Sequence, residues 1–261
     1  MLVKSRFRER FFRRIFISKS HQLKRMNILI FGNGKMGKLI EQLAISRGHT
    51  ITAKIDIDTV IKKSYFEQSD VAIEFTQPGA AVNNIALCAQ HKLPIVVGTT
   101  GWYDNLEKVK KIITDNDSAL LHATNFSIGV NIFFAINKFL AHKMNLQTNY
   151  TPEITEVHHT QKLDAPSGTA ITTAEGIISE ISRFTHWSIK EKPETDAIKI
   201  ISERIDPTPG THTVVYNSSI DAIEIKHTAH SREGFALGAI TAAEWIVGKH
   251  GVFTMQDVLE I

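Results

Sequence analysis

Cysteine is nearly missing from this 261-residue chain: Cys88 stands alone, which excludes an internal disulfide and with it a small disulfide-stapled secreted scaffold. A thiol count this low fits a reducing compartment, and a cytoplasmic location is expected. Long apolar runs are missing too. Although 43% of the residues are hydrophobic, nowhere do about 18 apolar residues follow one another, as a membrane-spanning helix requires. Metal-site spacing is also absent. His158 and His159 are adjacent but have no further ligands close by in sequence, so no metal is expected. What remains is a chain long enough to bury a substantial core as one large domain or two smaller ones.

Acidic residues are scarce in the first 25 positions. There Lys4, Arg6, Arg8, Arg10, Arg13, Arg14, Lys19, Lys24 and Arg25 stand against Glu9 alone, so the formal net charge of +3 belongs to this leader and the remainder is net acidic. Three readings compete: an upstream start chosen in place of Met26, an Arg-rich transit peptide, or a basic arm for a membrane surface or nucleic acid. The first is preferred, because Met26 lies one residue before the first strand pattern. The leader lacks the uninterrupted apolar stretch of a secretory signal. No nucleic-acid or membrane partner is expected.

The chemistry-bearing residues fall in two regions. In the first, the apolar run Asn27 to Phe31 leads into Gly32-Asn33-Gly34-Lys35-Met36-Gly37 and then into the helical pattern Lys38 to Ala44. Strand, glycine turn and helix in this order are the context of a dinucleotide-binding loop, although the spacing is one residue short of G-x-G-x-x-G. An ordinary turn would use the same glycines. A second strand, Thr50 to Ile55, ends at Asp56, near where an acidic side chain meets the adenosine ribose hydroxyls; Asp58 is a rival. Strands Val71 to Thr76, Pro94 to Val97 and Ala119 to Asn125 follow, separated by amphipathic segments Ala80 to His91 and Asn105 to Thr114. Strands alternating with helices imply a doubly wound parallel sheet of Rossmann type, which binds ligands at its carboxyl edge. Gly98, Thr99 and Thr100, and Ala123, Thr124, Asn125 and Phe126, belong at that edge.

The second region is the most informative. Residues 158 to 169 read His-His-Thr-Gln-Lys-Leu-Asp-Ala-Pro-Ser-Gly-Thr. Two imidazoles and the Lys162 ammonium precede Ser167-Gly168-Thr169, which open a helix whose free amides and positive dipole end suit a carboxylate or phosphate. The pattern reads as a small anion held beside a general acid; its plainer reading is a capped helix after a polar loop, with Ser167 or Thr169 as the cap. Around it lie a helix pattern Gly129 to Leu146, a strand Thr151 to Val157, a helix Ala170 to Ile181, and period-two strands Ala197 to Arg204, Thr211 to Tyr216 and Asp221 to Thr228. An open mixed sheet of three or four strands, covered on one face by two helices, is expected. Its other face carries Ile and Val, which points to self-association. A last helix, Gly234 to Lys249, is expected to return to the first domain, and Arg232 before it is read as structural. The division is residues 26–126 with 233–261 for the dinucleotide, and 127–232 for substrate and oligomerisation.

The glycine turn, Gly98-Thr99-Thr100-Gly101, Asn125-Phe126-Ser127-Ile128-Gly129-Val130-Asn131, Glu156-Val157-His158-His159 through Thr169-Ala170, and Gly210-Thr211-His212-Thr213-Val214 together resemble, in order and spacing, the 4-hydroxy-tetrahydrodipicolinate (dihydrodipicolinate) reductase family. The likeness runs from about Met26 to the end. It implies reduction of a small cyclic dicarboxylate with NADH or NADPH in lysine and diaminopimelate biosynthesis, and assembly as a homotetramer. By resemblance, His158 and Lys162 are the proton donors, and His159, Ser167, Gly168 and Thr169 hold the dicarboxylate. Gly32, Asn33, Gly34, Lys35, Met36, Gly37, Asp56, Gly98 to Thr100 and Ala123 to Phe126 bind the cofactor. One position departs: many relatives place Arg after the acid at the end of the second strand, where this chain has Ile57. An Asp without that Arg suits a free ribose 2′-hydroxyl better than a phosphate, so use of NADH at least as good as NADPH is expected unless Lys35 or Lys54 supplies the cation. Two rivals are another two-domain amino-acid dehydrogenase, such as an aspartate dehydrogenase, and a non-catalytic dinucleotide sensor. Neither needs both His158 and Lys162.

Overall fold

The computed structural model describes residues 25–261; the basic leader lies outside the described residues apart from Arg25. The first half alternates strands and helices: β1 (Asn27–Phe31), α1 (Lys35–Ser46), β2 (Thr50–Ile55), α2 (Lys63–Glu67), β3 (Val71–Glu74), α3 (Pro78–Gln90), β4 (Ile95–Val97), α4 (Leu106–Asp115) and β5 (Ala119–His122). A sheet with helices on both faces must bury both sets of alternating side chains. β1 shows how. Ile28 and Ile30 enter one apolar cluster with Ile40 of α1, Ile73 and Leu121, while Leu29 and Phe31 enter the opposite one with Ile85, Val97 and Ile113. All four are buried, each contributing about 1.5–3 kcal/mol relative to exposure.

The second half begins with α5 (Ile128–Met144), followed by β6 (Thr151–His158), α6 (Gly168–Ile178), β7 (His186–Ser188), β8 (Ala197–Arg204), β9 (Gly210–Asn217) and β10 (Ala222–Ala229). The chain then returns through α7 (Glu233–Ile246), β11 (Gly251–Phe253) and α8 (Met255–Leu259). α7 packs into the first cluster through Ala236, Ala239, Ile240, Ala243 and Ile246, so the expected return of the last helix is observed.

The parallel sheet has six strands in the order β11-β5-β4-β3-β1-β2. Its sixth, β11, pairs parallel with β5; at three residues it is too short to show any periodicity in the sequence. The strand order reverses between β1 and β3, so their carboxyl ends open the crevice in which such sheets bind ligands. The second sheet has five strands, one more than the most expected, in the order β10-β9-β6-β8-β7. β6 at its centre pairs parallel with β8 and antiparallel with β9, which makes the sheet mixed. Ile154, Ile198, Ile200, Val214 and Tyr216 bury one face against Phe133, Ala141, Ala170, Ala174 and Ile177 of α5 and α6. Thr155, Val157, Ile201, Thr213 and Val215 on the other face stay half-buried, with no layer over them among the described residues. Several elements differ at their ends. β5 stops at His122 rather than Asn125, leaving Ala123 to Asn125 as loop, and α7 stops at Ile246 rather than Lys249, ahead of Gly248 at φ +81°. Among the described residues, no helix is long and apolar enough to cross a membrane.

Candidate active site

Period two along β6 puts Ile154, Glu156 and His158 on its buried face, so the apolar stripe ends in a carboxylate and an imidazole. The register then chooses their neighbours: His212 of β9 lies opposite Glu156 and Arg204 of β8 opposite His158. His158 Nδ1 is 2.7 Å from Glu156 Oε2, a close contact bent away from hydrogen-bond geometry. Glu156 Oε1 accepts from Arg204 Nη2 at 3.2 Å and from the Ser167 backbone amide at 3.1 Å. The His158 and His212 rings meet edge to face, centroids 5.1 Å apart, and His212 Nε2 lies 3.1 Å from the Ser167 hydroxyl.

Burial by itself would push the Glu156 carboxyl up, but His158, the Ser167 hydroxyl and amide, and Ser202 together hold it well below the usual carboxylate range. His212 goes the other way from an ordinary histidine. Burial, then the neighbouring His158, pushes it down to about 3, so it is neutral near pH 7. One ionised carboxylate therefore sits beneath His158, with a neutral imidazole at its side.

Ser167 caps α6, its hydroxyl accepting from the Ala170 amide at 3.2 Å. The capped-helix reading is thus correct as local structure. The cap satisfies one first-turn donor and leaves the Gly168 and Thr169 amides at a positive helix end, where a carboxylate binds favourably. His159 begins the intervening loop, half-buried, with a buried Nδ1 that has no partner. Arg204 fastens the loop by donating to the Lys162 and Asp164 carbonyls at 3.3 and 2.6 Å. Lys162 Nζ pairs with Asp164 at 2.7 Å, and its ammonium lowers the Asp164 carboxyl.

The glycine turn has the shape of a phosphate cradle. Gly32 lies at φ +99° with the Phe75 carbonyl 2.3 Å from where a Cβ would sit, and a Cβ on Gly37 would fall 1.9 Å from the Gly32 carbonyl. Only glycine permits either approach. Gly34 precedes α1 without a side-chain cap and faces open space, Lys35 and Met36 form the first turn, and the buried Asn33 Oδ1 has no partner. Uncapped amides, an open approach and an orphaned polar atom fit a dinucleotide pyrophosphate. Asp56 is exposed just after β2, with Oδ1 accepting from the Ile57 amide at 2.9 Å. Of the two alternative cations, Lys54 is paired with Glu41 at 2.7 Å, while Lys35 is exposed in the cradle itself.

The remaining edge residues divide by role. A Cβ on Gly98 would sit 2.1 Å from the Phe75 ring, and the Thr99 hydroxyl accepts from the Thr76 amide at 2.8 Å, so both shape the crevice wall. Thr100 and Thr124 are exposed and Ala123 is half-buried. The Phe126 ring is buried in the core, 5.9 Å from Phe75, and its carbonyl packs against Gly238 of α7, where a Cβ would fall 1.8 Å from it. Asn125 ties the two halves together, its Nδ2 donating to Thr169 Oγ1 at 3.3 Å. The carboxyl edge of the parallel sheet thereby meets the amino end of α6.

Glu156, His158 and His212 also present ligand atoms within 4.8 Å of one another. Arg204 shares the carboxylate and Ser167 occupies His212, so the group is accounted for by its own pairing. Sequence reasoning missed the roles of Glu156, Arg204 and His212. The first was within reach, since a Glu two residues before His158 must share its strand face; the other two came from registers that the sequence does not specify. Arg232 is exposed and makes no side-chain hydrogen bond or ion pair among the described residues, so the structural role expected of it is not seen.

Two family models match almost all of the described chain: dihydrodipicolinate reductase, N-terminus, over residues 26–126, and dihydrodipicolinate reductase, C-terminus, over residues 129–259. The chain is 49% identical over 234 residues to a 4-hydroxy-tetrahydrodipicolinate reductase of Christiangramia forsetii, covering 90% of this chain and 98% of that protein. It is 36% identical to one of Methanosarcina mazei, covering 89% and 88%. Among solved structures, a dipicolinate-bound dihydrodipicolinate reductase from Paenisporosarcina sp. superposes with a TM-score of 0.72 at 23% identity, over 88% of this chain and 97% of the other. That last likeness is one of fold.

Proposed function

The chain belongs to the dihydrodipicolinate reductase family, and from that premise we propose that it reduces 4-hydroxy-tetrahydrodipicolinate to tetrahydrodipicolinate with NADH or NADPH and one proton, the 4-hydroxyl leaving as water, in lysine and diaminopimelate biosynthesis. The observation that carries this is the Asn125–Thr169 contact, which brings the dinucleotide edge against the anion-binding end of α6.

The cofactor, when bound, supplies the hydride; the protein supplies the rest. Residues 26–126 with 233–261 hold the dinucleotide: Gly32 to Gly37 cradle the pyrophosphate, Asp56 binds the ribose hydroxyls, and Gly98 to Thr100 with Ala123 to Phe126 line the crevice. Residues 127–232 hold the substrate. The amides of Gly168 and Thr169, with Ser167 and His159, take its carboxylates, and Lys162 exchanges its Asp164 partner for substrate. His158 or Lys162 protonates the position that gains electron density as the hydride arrives. The His158 Nε2 edge packs against Gly210, where a Cβ would lie 3.0 Å away, so glycine at 210 gives the imidazole room to sit at the end of β6. Asp56 followed by the exposed Ile57 favours NADH at least equally with NADPH. The half-buried Val157, Ile201 and Val215 on the open sheet face support self-association, and the family points to a homotetramer working in the cytoplasm.

A coupled assay with dihydrodipicolinate synthase, following nicotinamide absorbance, tests the reading. Turnover that depends on the synthase product supports it. Oxidation of the cofactor by oxaloacetate and ammonia instead would favour an aspartate dehydrogenase, and binding without turnover a sensor.

A further inference from the structure

We propose that Glu156 is a positioning residue for the proton donor: its buried charge holds and orients the His158 imidazole in the free enzyme, with Arg204 opposing that effect as a counter-charge. This rests on the reading of His158 as a donor. Glu156 touches neither the crevice nor solvent, being 0% exposed, and a carboxylate placed there costs several kcal/mol unless it is compensated. The compensation is directional. One oxygen is pinned by the Ser167 amide at 3.1 Å and Arg204 Nη2 at 3.2 Å, so the carboxylate cannot swing away. The other is left 2.7 Å from His158 Nδ1.

The groups facing His158 have unlike effects. Glu156, on its own strand, favours an imidazolium by Coulomb attraction; Arg204 from β8 and Lys162 from the loop oppose it; His212 from β9 contributes no charge near neutral pH because burial keeps it unprotonated. His227 of β10 lies opposite His212 in the β9–β10 ladder and is pushed down by its own burial. Asp164 on the same loop offsets the Lys162 ammonium it pairs with at 2.7 Å, which leaves Glu156 as the buried anion against the donor, and Arg204 is shared between it and the loop that carries Lys162. A purely structural Glu156 would need its hydrogen bonds alone. A positioning Glu156 needs its charge as well.

The test is the pH dependence of kcat/KM, which reports essential groups of the free enzyme, for the wild type, Glu156→Gln and Arg204→Gln. Glutamine keeps an oxygen for the Ser167 amide, removes the charge and turns an –NH2 donor toward His158 Nδ1, so the alkaline inflection assigned to His158 should move about 1–3 pH units to the acid side. Arg204→Gln should move it the opposite way, by less. Opposite displacements uphold the proposal; folded variants that both keep the wild-type inflection overturn it, whatever their kcat. Should Glu156→Gln not fold, Arg204→Gln decides alone, an alkaline displacement supporting the proposal and none refuting it. A wild type that does not turn over the diacid would instead overturn the functional reading, and this inference with it.

Discussion

Ile57→Arg should shift cofactor preference toward NADPH by about 5–30-fold. Ile57 is 87% exposed and its side chain packs on nothing that folding needs, so the change carries little stability cost. Its backbone amide already donates to Asp56 Oδ1 at 2.9 Å, which ties residue 57 to the carboxylate expected to meet the ribose. A guanidinium there can bond a 2′-phosphate bidentately. Hydrogen bonds to charged groups contribute about 1.5–3 kcal/mol, and exposure to salt and water reduces this to about 1–2 kcal/mol, or 5–30-fold. Asp56 works against the gain, because its carboxylate repels the phosphate, so Asp56→Ser added to Ile57→Arg should enlarge the shift. The assay is the ratio of kcat/KM for NADPH to that for NADH, at fixed ionic strength. A ratio unchanged by Ile57→Arg would refute the placement of the ribose at Asp56. A wild type already preferring NADPH strongly would make Lys35 the phosphate's partner.

Other outcomes follow from the same geometry. His158→Ala and Lys162→Ala should each lower kcat by about 10² to 10⁴, measured under saturating cofactor; near wild-type kcat in either removes that residue from proton transfer. Ser167→Ala removes the α6 cap and leaves His212 Nε2 without its hydroxyl neighbour, so urea unfolding should show a loss of about 1–3 kcal/mol; a loss under about 0.5 kcal/mol would mean that the cap contributes nothing. Stability should fall as pH drops from about 6.5 toward 3. His212, pushed down to about 3, binds its proton more weakly folded than unfolded, so its contribution is complete above the ordinary histidine value and is lost through that window at roughly 1.4 kcal/mol per unit. Glu156, also lowered, adds a loss below about 4.3. Urea midpoints across this range should fall less steeply in His212→Gln, and an equal slope would contradict the assignment.

Much of the fold was legible because its signals are local. The apolar run of β1 against the glycine turn, and the alternation in β6, β8, β9 and β10, each act over fewer than a dozen residues and named both sheets. β7 and β11 escaped because three residues carry no period and, unlike the all-apolar β4, His186-Trp187-Ser188 and Gly251-Val252-Phe253 make no apolar run; β11 moreover pairs with β5, far away in sequence. The candidate site split the same way. His158, Lys162 and Ser167 to Thr169 are contiguous and could be read as a unit, whereas Arg204 and His212 reach Glu156 only through strand register. Thr99 and Phe126 show the converse: their positions at the sheet edge were foreseen, but the Thr99 hydroxyl is spent on Thr76 and the Phe126 ring on the core.

The most direct measurement is a crystal structure of the chain with oxidised dinucleotide and pyridine-2,6-dicarboxylate as a stable planar diacid. The diacid should lie on the Gly168 and Thr169 amides, with the nicotinamide over its ring and His158 or Lys162 within about 3.2 Å of its polar atoms. A diacid bound elsewhere, with both side chains turned away from the nicotinamide, would contradict the reductase mechanism proposed for this cleft.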